Sequence, residues 1–177
     1  MISASAAYSQ SNEFTIVGNY GTNRLEKTAF NMGVQYELAL DDRFSLLYSF
    51  KLGTDEKNQF IFDSPMGAYG GTYLFLFGLA DENDDYYSLG ILAWFLPEGL
   101  AYNIPVSQNT VVSPYIKPLS FQHSAYYTKT YLEAGVRLKQ YISNTVFLGL
   151  DFGLSTTYTP GSTFTYMGGN LGFVLDN

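Results

Sequence analysis

A chain of 177 residues suits one domain rather than two, and its sixteen Asp and Glu against nine Lys and Arg leave a formal charge of -7. Only 14% of the residues are charged while 46% are hydrophobic, against roughly 25% charged in an ordinary soluble domain, so disorder is excluded and charge does not cover the surface. Singly scattered cations exclude a nucleic-acid face, and the absence of cysteine excludes disulfides, thiolate metal sites and a cysteine nucleophile.

The first residues, Met1 to Tyr8, lack the basic start and long apolar stretch of an intact signal peptide and read as the start of a mature chain. From there the organising signal is period-two alternation in segments of about ten residues. Glu13 to Tyr20 sets Phe14, Ile16 and Tyr20 against Glu13, Thr15 and Asn19. Ala29 to Leu40 sets Phe30, Met32, Val34, Tyr36 and Leu38 against Asn31, Gly33, Gln35 and Glu37. After the turn Asp41-Asp42 the beat resumes through Phe44, Leu46, Tyr48, Phe50 and Leu52, which predicts a hairpin. Tyr69 to Ala80 is read as a strand with Tyr73, Phe75, Phe77 and Leu79 on one face. Tyr86 to Leu96, Leu100 to Val106 and Val111 to Phe121 follow as strands whose ends Pro97, Pro105, Pro114 and Pro118 blur. Tyr127 to Ile142 and Val146 to Tyr158 form the clearest pair, and Thr163 to Leu175 closes the series. The longest apolar runs, Tyr73 to Ala80 and Leu89 to Leu96, fall far short of the ~20 residues a membrane helix needs. The expectation is a single all-β domain over residues 1–177, an antiparallel up-and-down transmembrane β-barrel of about 8 to 10 strands.

The faces decide which side is inside. The apolar faces are large and aromatic, in a chain with 16 Tyr and 14 Phe, and would overfill a small lumen. The alternate faces carry Gly, Ser, Thr and Asn with isolated charges of both signs. Glu37, Arg43, Lys51, Glu133, Arg137, Lys139 and Asp151 are therefore expected to form a lumen charge network. Tyr20, Tyr69, Tyr86-Tyr87, Tyr126-Tyr127, Tyr141, Tyr158 and Phe164 fall near expected strand ends, where an aromatic girdle meets the bilayer interface. Compact connections at Asp41-Asp42, Asp81 to Asp85, Ser107 to Thr110 and Ser143-Asn144 alternate with longer ones, the asymmetry of membrane barrels, with termini and short turns on the periplasmic side.

The stretch GLAYNIPVSQNTVVSPYIKPLSF followed by YLEAGVRLKQYISNTVFLGLDFGL resembles the late hairpins of the small bacterial outer-membrane β-barrel proteins of the OmpX, OmpW and OmpA-barrel kind. Tyr166, Gly168, Leu171 and Phe173 are similar to that family's C-terminal assembly signal, although Val174 to Asn177 continue past the aromatic. The resemblance implies an outer-membrane location in a Gram-negative bacterium, with outer-membrane lipid and other outer-membrane proteins as partners. It implies no single activity.

No catalytic constellation is expected. His123 with Ser124 or Ser120 and Glu133 is the one conceivable lipid A-modifying hydrolase set, but adjacent strand residues face opposite ways. Asp81-Glu82-Asn83-Asp84-Asp85 resembles a calcium loop only in part, because Tyr86 stands where that loop needs Gly. One histidine, no cysteine and no Gly-rich phosphate loop leave no cofactor to expect. The functional expectation is a structural or interaction role, as a stand-alone barrel or an accessory subunit of a larger complex, with Pro97 to Pro118 as the candidate docking surface. The alternative is a soluble lipocalin-like barrel holding an apolar ligand.

Overall fold

The structure is a computed structural model that describes residues 11–23, 27–81, 84–158 and 163–175. Its long strands are β1 (Asn12–Asn23), β2 (Thr28–Ala39), β3 (Phe44–Thr54), β7 (Thr110–Ser124), β8 (Thr128–Tyr141), β9 (Val146–Thr157) and β10 (Thr163–Leu175). Between β3 and β7 lie β4 (Phe60–Pro65), helices α1 (Met66–Asp81) and α2 (Asp84–Trp94), and the short strands β5 (Gly99–Tyr102) and β6 (Ile104–Ser107).

Antiparallel pairing runs from β1 through β2 and β3 to β4, then β7, β8, β9 and β10, and β10 pairs back onto β1 over Asn12–Asn23. The result is a closed barrel of eight strands with two further short ones, β5 and β6. Closure removes the free edges that would otherwise template association. The turns after β2 and β8 and the β6–β7 hairpin share one rim, called here the turn rim, with the start of β1 and the end of β10. The opposite end is the loop rim. Connections are short at both, Asp55–Gln59 and Ala125–Tyr127 at the loop rim among them, so the expected length asymmetry is not a feature of the described residues.

One of the eight staves is broken. β4 pairs with β3 over Lys51–Thr54, and β5 pairs with the same strand over Phe44–Leu47. The ladder on that edge of β3 skips residues 48–50, and the helices are inserted into this gap. The segments Tyr69 to Ala80 and Tyr86 to Leu96 are thus α1 and α2 with the short connection to β5, not barrel strands, while the eight barrel strands and two further ones fall within the expected 8 to 10. The physical reason is that Leu74, Leu76, Gly78 and Ala80 interleave the residues taken as the apolar face. A uniformly apolar run cannot be phased at period two against 3.6.

The helices pack on one another through glycine. A Cβ added to Gly71 would lie 2.6 Å from the Gly90 carbonyl oxygen, one on Gly90 2.5 Å from the Phe75 nitrogen, and one on Gly78 2.5 Å from the Tyr87 nitrogen. Close backbone approach through small residues is how helices pair where lipid removes the hydrophobic drive between them. Asp81 and Asp84 flank the hairpin tip; Glu82 and Asn83 of the partial calcium loop lie outside the described residues.

The barrel is turned outward as the alternation requires. Phe14, Ile16, Phe30, Met32, Phe50, Leu52, Val136, Leu148, Leu150, Phe152 and Leu171 are exposed on the outer wall, while Glu13, Thr15, Gln35, Ser49 and Lys117 are buried inside. This arrangement rejects the lipocalin alternative, which needs an apolar lumen and a polar exterior.

Candidate functional site: the sealed lumen and the outer helical hairpin

The lumen is filled from the turn rim upward by ion pairs. At the lowest level Lys139 Nζ lies 2.6 Å from Glu13 Oε2 and 2.9 Å from Glu37 Oε2, and the Tyr141 hydroxyl donates to Glu13. Asn103 donates through Nδ2 to Glu37 Oε1 at 2.9 Å and to Ser45 Oγ at 2.8 Å. Below this layer Val111, Tyr141, Phe147 and Val174 form an apolar floor.

At mid-height Arg137 forks onto Asp151, Nε to Oδ1 at 2.7 Å and Nη2 to Oδ2 at 3.0 Å, with Gln35 Oε1 accepting at 3.1 Å. This is the bidentate geometry that makes arginine the preferred buried cation. The two residues face each other across the β8–β9 ladder. Lys117 Nζ lies 2.5 Å from Glu98 Oε1 and donates to Ser49 Oγ at 3.1 Å. The upper level is a knot in which Glu133 accepts from Lys51 at 3.2 Å and from the hydroxyls of Tyr115 and Tyr166 at 3.3 and 3.1 Å.

Six of the seven charges expected inside, Glu37, Lys51, Glu133, Arg137, Lys139 and Asp151, are buried and ion-paired. Arg43 is not among them. It stands exposed in the turn before β3, where its Nη1 donates to the Tyr102 hydroxyl at 2.7 Å. The alternation counted it on the inner face, but β3 begins only at Phe44, so no pleat directs it inward. Sequence reasoning missed four members. Glu13 stood on the polar face of its segment, which was the usable signal, whereas Lys117 and Glu98 were hidden in the proline-rich stretch. Asp63 belongs to a strand the sequence pattern did not resolve.

The expected assembly-signal residues divide between the faces of β10. Leu171 and Phe173 are exposed on the outer wall, while Tyr166 is drawn into the lumen knot. Gly168 lies where a Cβ would meet the Asn19 side chain at 2.0 Å, so a larger residue would displace a lumen amide. The girdle is corrected in the same way. Tyr141 is buried inside, Phe164 lines the lumen, and Tyr69, Tyr86 and Tyr87 belong to the helices; Tyr20, Tyr126 and Tyr158 are exposed toward the loop rim.

The hydrolase set does not assemble. His123 faces outward, but Ser120 and Glu133 are inside the lumen, and Ser124 Oγ accepts the backbone N–H groups of Tyr126 and Tyr127 at 3.1 Å. His123 instead contacts Ser64 Oγ at 3.4 Å and Thr128 Oγ1 at 3.2 Å, and stacks on Tyr69 with ring centroids 4.4 Å apart.

That stack seats the helical hairpin. Tyr69 also lies face to face with Phe121 at 5.2 Å. Because Pro65 pairs with Ser120, this places the first turn of α1 against the outer wall on the loop-rim side of the break. At the other foot Tyr48 donates to the Phe95 carbonyl at 3.1 Å. Glu98, two residues on from Leu96, passes into the lumen, where Ser49 donates to it at 2.5 Å beside Lys117. Between its feet and its acidic tip the hairpin is apolar: Tyr73, Leu76, Phe77, Leu79, Leu89, Ile91, Leu92 and Trp94 are all exposed, and no charge falls between Gly67 and Ala80 or between Tyr86 and Leu96.

No protein-family model matches this chain, and no curated protein sequence matches it. Solved structures do. The N-terminal β-barrel domain of Pseudomonas aeruginosa OprF is similar with a TM-score of 0.55 at 13% identity, covering 93% of this chain and 98% of that one. Neisserial surface protein A matches with a TM-score of 0.54 at 6% identity, over 93% and 96%. Ail, the attachment invasion locus protein of Yersinia pestis, matches at 0.50 and 8%, over 93% and 97%. At such identities the likeness is one of architecture. The chain thus has the fold of the small bacterial outer-membrane β-barrels, modified by a helical hairpin that replaces the middle of one stave.

Proposed function

We propose that this chain is an integral outer-membrane β-barrel that conducts nothing and acts through its outer wall, as a structural or protein-interaction component of a larger outer-membrane complex. Leu171 and Phe173, outward on the last strand, serve in this reading as the assembly signal together with Tyr166 and Gly168. The sealed lumen, filled by Lys139, Arg137 and Lys117 with their carboxylates, supports a role outside the pore.

The observation that carries the reading is the interrupted stave. A barrel closes more simply if β4 continues directly into β5, and breaking the ladder forgoes backbone hydrogen bonds that lipid cannot replace. An insertion at that position with an exposed apolar surface is what a contact with another membrane component requires. Pro97 to Pro118 contributes to this surface only at its start, where Glu98 anchors the hairpin; Pro105 lies in β6 and Pro114 in β7.

The test is the mass of tagged protein extracted from its native membranes. The proposal expects that detergent is required, that the particle exceeds one barrel in a micelle, and that replacing residues 66–96 by a short linker reduces it to a single barrel. Release without detergent, or single-barrel particles from both forms, would overturn it.

A further inference from the structure

The lumen is not filled to its end. Above the knot of Glu133 with Tyr115 and Tyr166, a cavity of about 290 Å³ lies under the loop rim, its wall including Asn19, Asn31, Asp55, Asp63 and Lys129. Its polar groups are out of balance in one direction. Asp63 is 4% exposed, yet its closest donors are two side-chain amides, Gln122 Nε2 at 3.3 Å and Asn31 Nδ2 at 3.4 Å. These are long contacts for a carboxylate, whose charge-assisted bonds run nearer 2.7–2.9 Å; Lys51, its neighbour across the β3–β4 ladder, is drawn instead to Glu133 at 3.2 Å, so Asp63 makes no direct ion pair among the described residues. Asp55 and Glu56 add two further carboxylates to the same wall. The one lysine there, Lys129, is placed over the Tyr127 ring, 4.2 Å from its centroid.

A second and independent observation points the same way. Asn19, 6% exposed, donates its amide nitrogen to Asn31 Oδ1 at 3.1 Å and leaves its own Oδ1 without a partner. Asn31 in turn donates to Asp63, so the orphaned acceptor and the carboxylate are joined by one amide on one wall. A buried acceptor with no donor costs the desolvation of that group, and a buried carboxylate whose neighbouring cation is committed to another partner is only partly compensated.

We infer that this cavity binds a small organic cation bearing a primary ammonium group. An ammonium supplies the direct ion pair that Asp63 lacks and carries three N–H donors for the acceptors of this lining. Tyr131 and Phe164, also in the lining, give the carbon chain an aromatic flank. A bare metal ion fits less well, since no three of the described carboxylates converge as metal ligands do. An anion meets the carboxylates and is repelled. The site does not depend on any protein partner, because it opens inside the barrel rather than on the hairpin.

The experiment is titration of the folded barrel in detergent micelles with 1,4-diaminobutane, butylamine, tetramethylammonium and calcium as separate probes, followed by calorimetry. Saturable binding of the two primary amines is expected, with tetramethylammonium, which has no N–H, and calcium at least about tenfold weaker. Asp63→Asn should weaken the amines by about tenfold and Asn19→Ala by about threefold, in variants whose heat-dependent gel shift shows a folded barrel. Ala29→Phe keeps every charge and fills the cavity, and should abolish binding even where Asp63→Asn does not fold. No saturable amine binding at millimolar concentration, equal binding of tetramethylammonium or calcium, or binding unchanged in Ala29→Phe or in folded Asp63→Asn would overturn the inference.

Discussion

The two sides of this barrel are built to different rules. On the side formed by β8, β9, β10, β1 and β2, each strand pairs with both neighbours over ten or more residues, and outer and inner faces alternate regularly. On the opposite side β4 and β5 share one stave, β7 slips register between Lys117 and Ser120, and a helical hairpin occupies the break. The continuous side can do nothing but hold a wall. On the broken side Glu98 and Lys117 form a lumen ion pair where the ladder is missing. This barrel thus carries an insertion in mid-wall with a buried ion pair beside the break.

That contrast can be tested by substitution, and the largest effect should come from the continuous side. Lys139→Met leaves Glu13 buried without its cation beside Glu37, which keeps only the 3.9 Å contact with Arg137. It should destabilise the barrel by about 3–5 kcal/mol in denaturant unfolding from lipid vesicles. Leu150→Arg, on the outer wall of β9, should cost about 2–4 kcal/mol by the same measurement. Leu76→Arg on α1 should leave barrel unfolding nearly unchanged; equal losses at the two positions would show that hairpin and wall are one cooperative unit.

Glu98→Gln should cost about 1–3 kcal/mol, since it weakens the short contacts with Lys117 and Ser49. Its distinguishing mark is protease sensitivity at residues 95–98 before global unfolding; cleavage no faster than in the wild type would mean that Glu98 does not hold the hairpin. The smallest effect lies in the turn before β3. The backbone N–H of Phe44 and then that of Arg43 donate to Asp41 and hold its carboxyl below the usual carboxylate value. A depressed value in the folded state stabilises the turn above the unfolded value near pH 4, and this contribution is lost as the pH falls through the folded one. Asp41→Asn should remove that increment of acid sensitivity, seen as a smaller loss of stability from pH 5 to pH 3, and an identical acid profile would exclude the role.

The same contrast explains what the residues disclose before folding. Along β1, β2, β8 and β9 the polar face is interrupted by charges and glycines, so the phase of the alternation is unambiguous and the lumen members Glu37, Arg137, Lys139 and Asp151 can be named. Between Met66 and Leu96 every phase is apolar, and the glycines at 67, 71, 78 and 90 read equally well as small residues on a strand face. Their helical spacing has meaning only once two helices are known to meet. Arg43 lies one residue outside the strand that would turn it inward, and Tyr141 and Tyr166 stand on the polar face of their segments, which the pleat turns into the lumen rather than toward a girdle or an outer signal. The cavity under the loop rim was not legible at all, because Asn19, Asn31 and Asp63 come from three separate strands and converge only through register.

The central claim is that the hairpin is an intramembrane surface on the outside of a sealed barrel. The chain has no cysteine, so a nitroxide can be attached at a single introduced cysteine, at Leu76 on α1 and separately at Leu150 on the wall, with the barrel reconstituted in lipid vesicles. The account predicts that molecular oxygen reaches both labels and that a water-soluble nickel chelate reaches neither. A label at Leu76 relaxed by the chelate while that at Leu150 stays shielded would place the hairpin in water and contradict the account.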